Sequence, residues 1–262
     1  MLPRRSRAIW FVVCLLLVVA VVAGYIGFRA RTPGLTMTAP APAAAPRTET
    51  RPLGGDAAAI EIPPLDQSDG VVADLVRKLS SHPQVAAWLT TSGLIRNFTV
   101  VVSNIAEGKT PAKLLPPLRP RTPFRVVQRD SQIYVDPRND ERYGPLAEAV
   151  ASIDAKSSAS LYATLKPRIE EAHRELGSPD PSFDGTLERA IVLLLETPVR
   201  GGQARLRMHG GVGYAFADAG EEDLAPAQKQ LLRMGPANAR AVQAKLREIA
   251  LALGIPSARL PR

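Results

Sequence analysis

The feature that most constrains this chain is a run of 20 residues, Ile9 to Phe28, with neither a charge nor a proline. At about 1.5 Å of rise per residue, a helix of that length spans about 30 Å, the thickness of a bilayer's hydrocarbon core. A helix packed in a soluble domain keeps a polar face, and this segment has none, so it predicts a transmembrane helix over 9–28. Arg4, Arg5 and Arg7 precede the run with no acid among them, and only Arg29 and Arg31 follow closely. That asymmetry and the short leading tail place 1–8 in the cytoplasm and the bulk of the chain on the far side. Trp10, Tyr25 and Phe28 stand where amphipathic rings settle at membrane interfaces. The competing reading is a cleaved signal peptide, with Val21 and Ala23 ahead of a cut at Gly24. The apolar run continues beyond that point through Ile26 and Phe28, which weighs against cleavage. Ala20 and Gly24, like Ala23 and Gly27, are four apart, a spacing that lets two spans pack closely as a weak homodimer.

After the span, residues 29–59 are rich in Pro, Ala, Thr and Gly and poor in large apolar side chains, the composition of an extended tether. The remainder, 60–262, is long enough for one domain with a core of its own. The net charge of +8 suggests nucleic acid until its distribution is read. Residues 1–59 hold 7 Lys and Arg against 2 Asp and Glu, leaving 26 against 23 beyond, so the domain carries about +3 and no nucleic-acid partner is expected. The only cysteine, Cys14, lies inside the span, so the exported part has no disulfide and no thiol nucleophile.

Hydrophobic periodicity predicts a mostly helical α+β domain with two short β-hairpins. Leu75 and Leu79 carry a helix over about 69–80 behind the candidate caps Ser68 and Asp69. Leu94, Ile95, Phe98, Val102 and Ile105 form one helical face ending at Gly108. At TPFRVVQRDSQIYVDP the period shifts to two, with a turn at Asp130 and Ser131: a hairpin. Helical signals run from Leu146 to Leu176, kinked or restarted at Pro167, and again over 183–196. ARLRMHGGVGYAFAD predicts a second hairpin turning at Gly210 and Gly211. Two further helices close the domain, the last over about 237–253.

Motifs that carry chemistry are scarce. Glu170 and His173 share a helix face as metal ligands would, but no second pair completes a set of three or four, so no metal is expected. His209 and its glycines lack the Lys and Ser/Thr of a phosphate loop, and no Ser sits in a nucleophile elbow. His82 before Pro83 suits a connection between helices. No cofactor and no catalytic residue are indicated. Lys109, Lys113, Arg119, Arg121, Arg125 and Arg129 follow one another with no acid between them, a candidate basic patch for an anionic ligand, balanced in space if acids such as Glu221 and Glu222 lie nearby.

Three stretches, PPLDQSDGVVADLV at Pro63–Val76, LIRNFTVVVSNIAEGKTP at Leu94–Pro111 and AQKQLLRMGPANARAVQAKLREI at Ala227–Ile249, give the chain a family resemblance. It resembles the bacterial domain of unknown function 3014 family over about 60–255, with RYGPLAEAV and EAHRELG similar too. The resemblance implies one contiguous domain, anchored N-terminally in a bacterial inner membrane and facing the periplasm, and carries over no activity or catalytic residue. It also draws attention to Gln228, Lys229, Gln230, Arg233 and Met234, either a recognition surface or simply a helix end whose cations suit its dipole. The leading expectation is therefore a membrane-tethered envelope interaction or scaffold module. The alternative is a binder of an anionic envelope ligand. A hydrolase using Asp136, Asp140 or Glu141 is a third reading that no spacing selects.

Overall fold

Asp69 shows how these segments become a body. It was expected to cap its own helix, yet its carboxylate accepts from the backbone N–H groups of Gly93 (2.7 Å) and Leu94 (2.8 Å), closing the start of a different one. The reason is geometric: Gly93 has φ +67°, so its N–H and the next point back toward α1 (Asp69–Arg77) as α3 (Leu94–Ala106) begins. Between them lies α2 (Pro83–Trp88), capped by His82, whose Nδ1 accepts from the Gln84 N–H. This is a computed structural model, and it describes residues 52–111, 115, 118, 120, 122–210 and 213–262. The apolar run 9–28, its flanking arginines and most of the tether lie outside the described residues. Among the described residues, no helix is long and apolar enough to cross a membrane.

The first hairpin pairs β1 (Val126–Arg129) with β2 (Gln132–Val135). Its turn residues Asp130 and Ser131 both have positive φ, as a two-residue hairpin loop of matching twist demands. Helices α4 (Asn139–Ala151) and α5 (Ala155–Glu175) follow. Here the sequence expectation is corrected. The break falls at Asp154, whose side chain caps α5 at Ser157 N–H, while Pro167 sits within α5. A cap offers a favourable restart, whereas a proline in a packed helix loses only one hydrogen bond that packing can offset. Then come α6 (Phe183–Leu195), β3 (Arg205–His209), β4 (Gly213–Phe216), the short α7 (Ala219–Glu222), α8 (Pro226–Leu232) and α9 (Pro236–Ala252). The two hairpins join edge to edge through β2 and β3, so the domain has one four-stranded antiparallel sheet of order β1-β2-β3-β4.

The packed body starts earlier than the compositional boundary at 60. Leu53 is in the core, its N–H donating to Asp184 Oδ2 (3.1 Å), and Gly54 N–H bonds the Leu253 carbonyl. Asp184 also takes the Tyr162 hydroxyl (2.6 Å) and the Lys166 ammonium (2.5 Å), tying the entering chain to α5 and α6. The larger apolar cluster joins α1, α3, α5, α6 and α9, and a smaller one joins α4, α8 and α9. Seven helices, α1 to α6 and α9, line a partly open, apolar pocket of about 430 Å3.

His173 on α5 is 1% exposed, lies edge-on to the Phe183 ring at 5.5 Å and gives neither ring nitrogen a hydrogen bond. An unpaired buried polar group costs about 1–3 kcal/mol. His173→Leu should therefore raise stability by about 1 kcal/mol in urea unfolding; a loss of that size would show that the imidazole has a partner we have missed.

Candidate functional site

The strand register sorts the sheet's side chains into two faces. Ile133 pairs with Leu206, Leu206 with Phe216, and Met208 with Tyr214, so with Val126 and Val135 these form one apolar face. Period two then sends Val127, Arg129, Tyr134, Arg205 and Arg207 to the other, and Arg125 joins them where the Asp136 N–H bonds its carbonyl and extends the ladder. The hairpins are fixed to the helices by polar clamps. Buried Asn139 donates to the Arg125 and Asp136 carbonyls (2.6 and 2.8 Å) and accepts from the Arg125 N–H (2.9 Å). Glu222 on α7 accepts from the Phe216 N–H (2.8 Å) and from Lys229 on α8 (3.0 Å).

On the apolar face, α4 and the end of α8 border a cleft of about 310 Å3. Arg233 lies 5.5 Å over the Phe216 ring, and Arg142 stands near both Phe124 (5.8 Å) and Tyr143 (5.4 Å). Phe124 and Tyr214 are 6.1 Å apart, ring to ring. Each guanidinium is thus placed by stacking, and Arg142 also donates to the Thr122 carbonyl.

The opposite face has another character. Arg125, Arg129, Arg205 and Arg207 are all exposed, and none forms an ion pair among the described residues. Gln132 pairs with Arg129, and the register carries it beside Arg207. With strands about 4.8 Å apart, Arg129 and Arg207 are separated by roughly 10 Å, and Arg205 is about 7 Å along the strand from Arg207. Two of them feel acids that are engaged elsewhere, Arg207 the Glu222 carboxylate and Arg125 that of Asp136, without forming an ion pair.

The expected basic patch is therefore redistributed. Arg125 and Arg129 lie on this face, Lys109 is elsewhere and pairs with Glu107 at 2.5 Å, and Lys113, Arg119 and Arg121 lie outside the described residues. Arg205 and Arg207 were missed by sequence reasoning, although the alternation RLRMH held the signal. The five residues of the α8 end turn inward. Gln228 is buried, donating to the Leu193 carbonyl while its own amide oxygen accepts from the Ala225 N–H. Lys229 holds Glu222, Gln230 donates to the Tyr143 hydroxyl (3.2 Å), Arg233 covers Phe216, and Met234 is in the smaller core. Gly235 follows at φ +87°, where any Cβ would overlap the Asp140 carboxylate.

Among the candidate acids, Asp136 is buried and hydrogen-bonded by Arg138, which holds its carboxyl below the usual range. Burial pushes the Asp140 carboxyl up, and Glu141 is exposed. Glu170 accepts from the Phe183 N–H rather than facing His173 as a co-ligand. Among the described residues, no group of three or more His, Cys, Asp or Glu could hold a metal ion.

The hydrogen bond from Lys229, aided by the Phe216 N–H, holds the Glu222 carboxyl below its ordinary value. A group depressed in this way adds stability above its unfolded pKa, and that contribution disappears as pH falls through the folded value. Glu222→Gln should thus melt below wild type at neutral pH, with the gap closing on acidification through the carboxylate range. Thermal melts across a pH series check this, and a gap that widens toward acid would contradict it.

A family model described as protein of unknown function, DUF3014, matches residues 94–250, from the start of α3 to near the end of α9. The match takes in the sheet, both clamps and the α8 end, while the Pro63–Val76 stretch precedes it. No curated protein and no solved structure matches the chain. With more than half of its length matched from α3 through the sheet to α9, the chain belongs to the DUF3014 family, an uncharacterised bacterial family.

Proposed function

We propose that this protein is a membrane-tethered interaction module of the bacterial envelope, docking the acidic surface of a partner protein on the arginine face of its sheet. In this reading the span at 9–28 holds the chain in the inner membrane, 1–8 stay in the cytoplasm, and the tether presents the domain in the periplasm. The observation that carries the proposal is the set of four exposed arginines on one face, Arg125, Arg129, Arg205 and Arg207, none of which forms an ion pair among the described residues. Guanidinium groups in a row suit bidentate contact with carboxylates on a partner's surface. Strands hold Arg129, Arg205 and Arg207, and a ladder hydrogen bond steadies Arg125 beside them, so the docking geometry exists before the partner arrives. The anionic-ligand alternative rests on the same face, and partner identity separates the two.

A photoreactive residue at Gln132, between Arg129 and Arg207, tests this in cells with the full-length protein. We expect recurrent crosslinks to one acidic envelope protein, weakened about tenfold by Arg129→Glu with Arg205→Glu and Arg207→Glu, at roughly 0.5 kcal/mol per exposed pair. Crosslinks that ignore the charge reversal, or only self-crosslinks, would overturn it. Topology is checked separately with a periplasm-active reporter fused after Arg262: activity is expected, and silence would place the domain on the wrong side.

A further inference from the structure

The partly open apolar pocket among the helices is a second site, sharing no residue with the sheet. Its wall is apolar except at Gln84, Ser158 and Tyr162, and the Tyr162 hydroxyl is already spent on Asp184. The Ser158 hydroxyl is likewise committed, to the Asp154 carbonyl. Water needs two to four polar partners to stay in such a place, so this space does not suit water. An apolar group suits this lining, and the pocket's surroundings say which kind.

Leu79 and Leu161 line the cavity and also a neighbouring polar depression, making the two spaces adjacent. That depression carries Lys78, at the end of α1, and Lys156, in the first turn of α5. Both are exposed and neither forms an ion pair among the described residues. One carboxylate lies there, Asp154, and it is occupied in capping Ser157 N–H. Two ammonium groups against one engaged carboxylate leave the mouth of an apolar chamber positively charged.

We propose that the helical part of the domain binds one anionic amphiphile, its acyl chain in the cavity and its charged head at Lys78 and Lys156. A methylene fills about the space of a water molecule, about 30 Å3 in the liquid, so 430 Å3 admits one chain of on the order of 14 carbons. The head chemistry is a carboxylate or a phosphate, from a free fatty acid or an acidic phospholipid.

Trp88 lines the cavity and is, with Trp10, one of the chain's two tryptophans, so it serves as the reporter. Full-length protein carrying Trp10→Phe is titrated in neutral detergent with a mid-chain brominated fatty acid and, separately, a brominated phosphatidylglycerol. Saturable quenching of Trp88 by either supports the site, and the arm that quenches identifies the source. The unbrominated ligand should restore emission, and Ala149→Phe, which fills the cavity from α4, should abolish quenching while raising the melting temperature. Should that variant fail to fold, Lys78→Glu with Lys156→Glu alters only exposed positions. It should weaken the acid about tenfold and leave the methyl ester unchanged. Absence of quenching in both arms, or quenching untouched by competitor and by both variants, would overturn the proposal.

Discussion

The side-chain amide of Asn139 is the contact on which the sheet's placement depends. Buried at the start of α4, it satisfies both backbone groups of Arg125, so it acts as one more residue of the ladder and welds the first hairpin to the helices. A buried amide left unpaired costs about as much as several good contacts provide, so this clamp is either fully made or the hairpin does not dock. Once β1 is fixed, alternation decides the rest: Val126 and Val135 face inward, Arg125 and Arg129 outward, and β3 inherits the same division through Tyr134 and Arg205.

Two faces of different character follow from that one constraint. The inner face places Arg142 and Arg233 against aromatic rings, where stacking and packing hold the guanidinium planes. The outer arginines have no such support. A row of exposed arginines without ion pairs leaves a positive surface, and such a surface favours an anionic one. This is why the outer face, rather than the α8 end, is the proposed contact surface.

Local signals in the sequence were legible where they depend on a few neighbouring residues. The Asp130-Ser131 turn, the face of α3 and the close of α9 around Gly254 all read directly, since turn chemistry and period are local properties. What was not legible depends on contacts distant in sequence. Asp69 capping another helix, Gln228 turning inward to Leu193, and the alignment of Arg205 with Arg129 require knowing which strand or helix lies alongside. The helix break was misplaced at Pro167 because a proline's local penalty is visible, whereas the packing that offsets it is not. The cavity was invisible for the same reason: apolar periodicity shows that a face is buried, not whether opposing faces meet.

Chemical labelling of arginine with a dicarbonyl reagent, read by mass spectrometry on the full-length protein, tests the central claim most directly. Purified protein should label at Arg129, Arg205 and Arg207 and sparingly at Arg142 and Arg233. In native envelope membranes, the first three should become protected while the other two stay as they were. Equal labelling of the outer arginines in both preparations would mean that this face meets no partner, and would contradict the account.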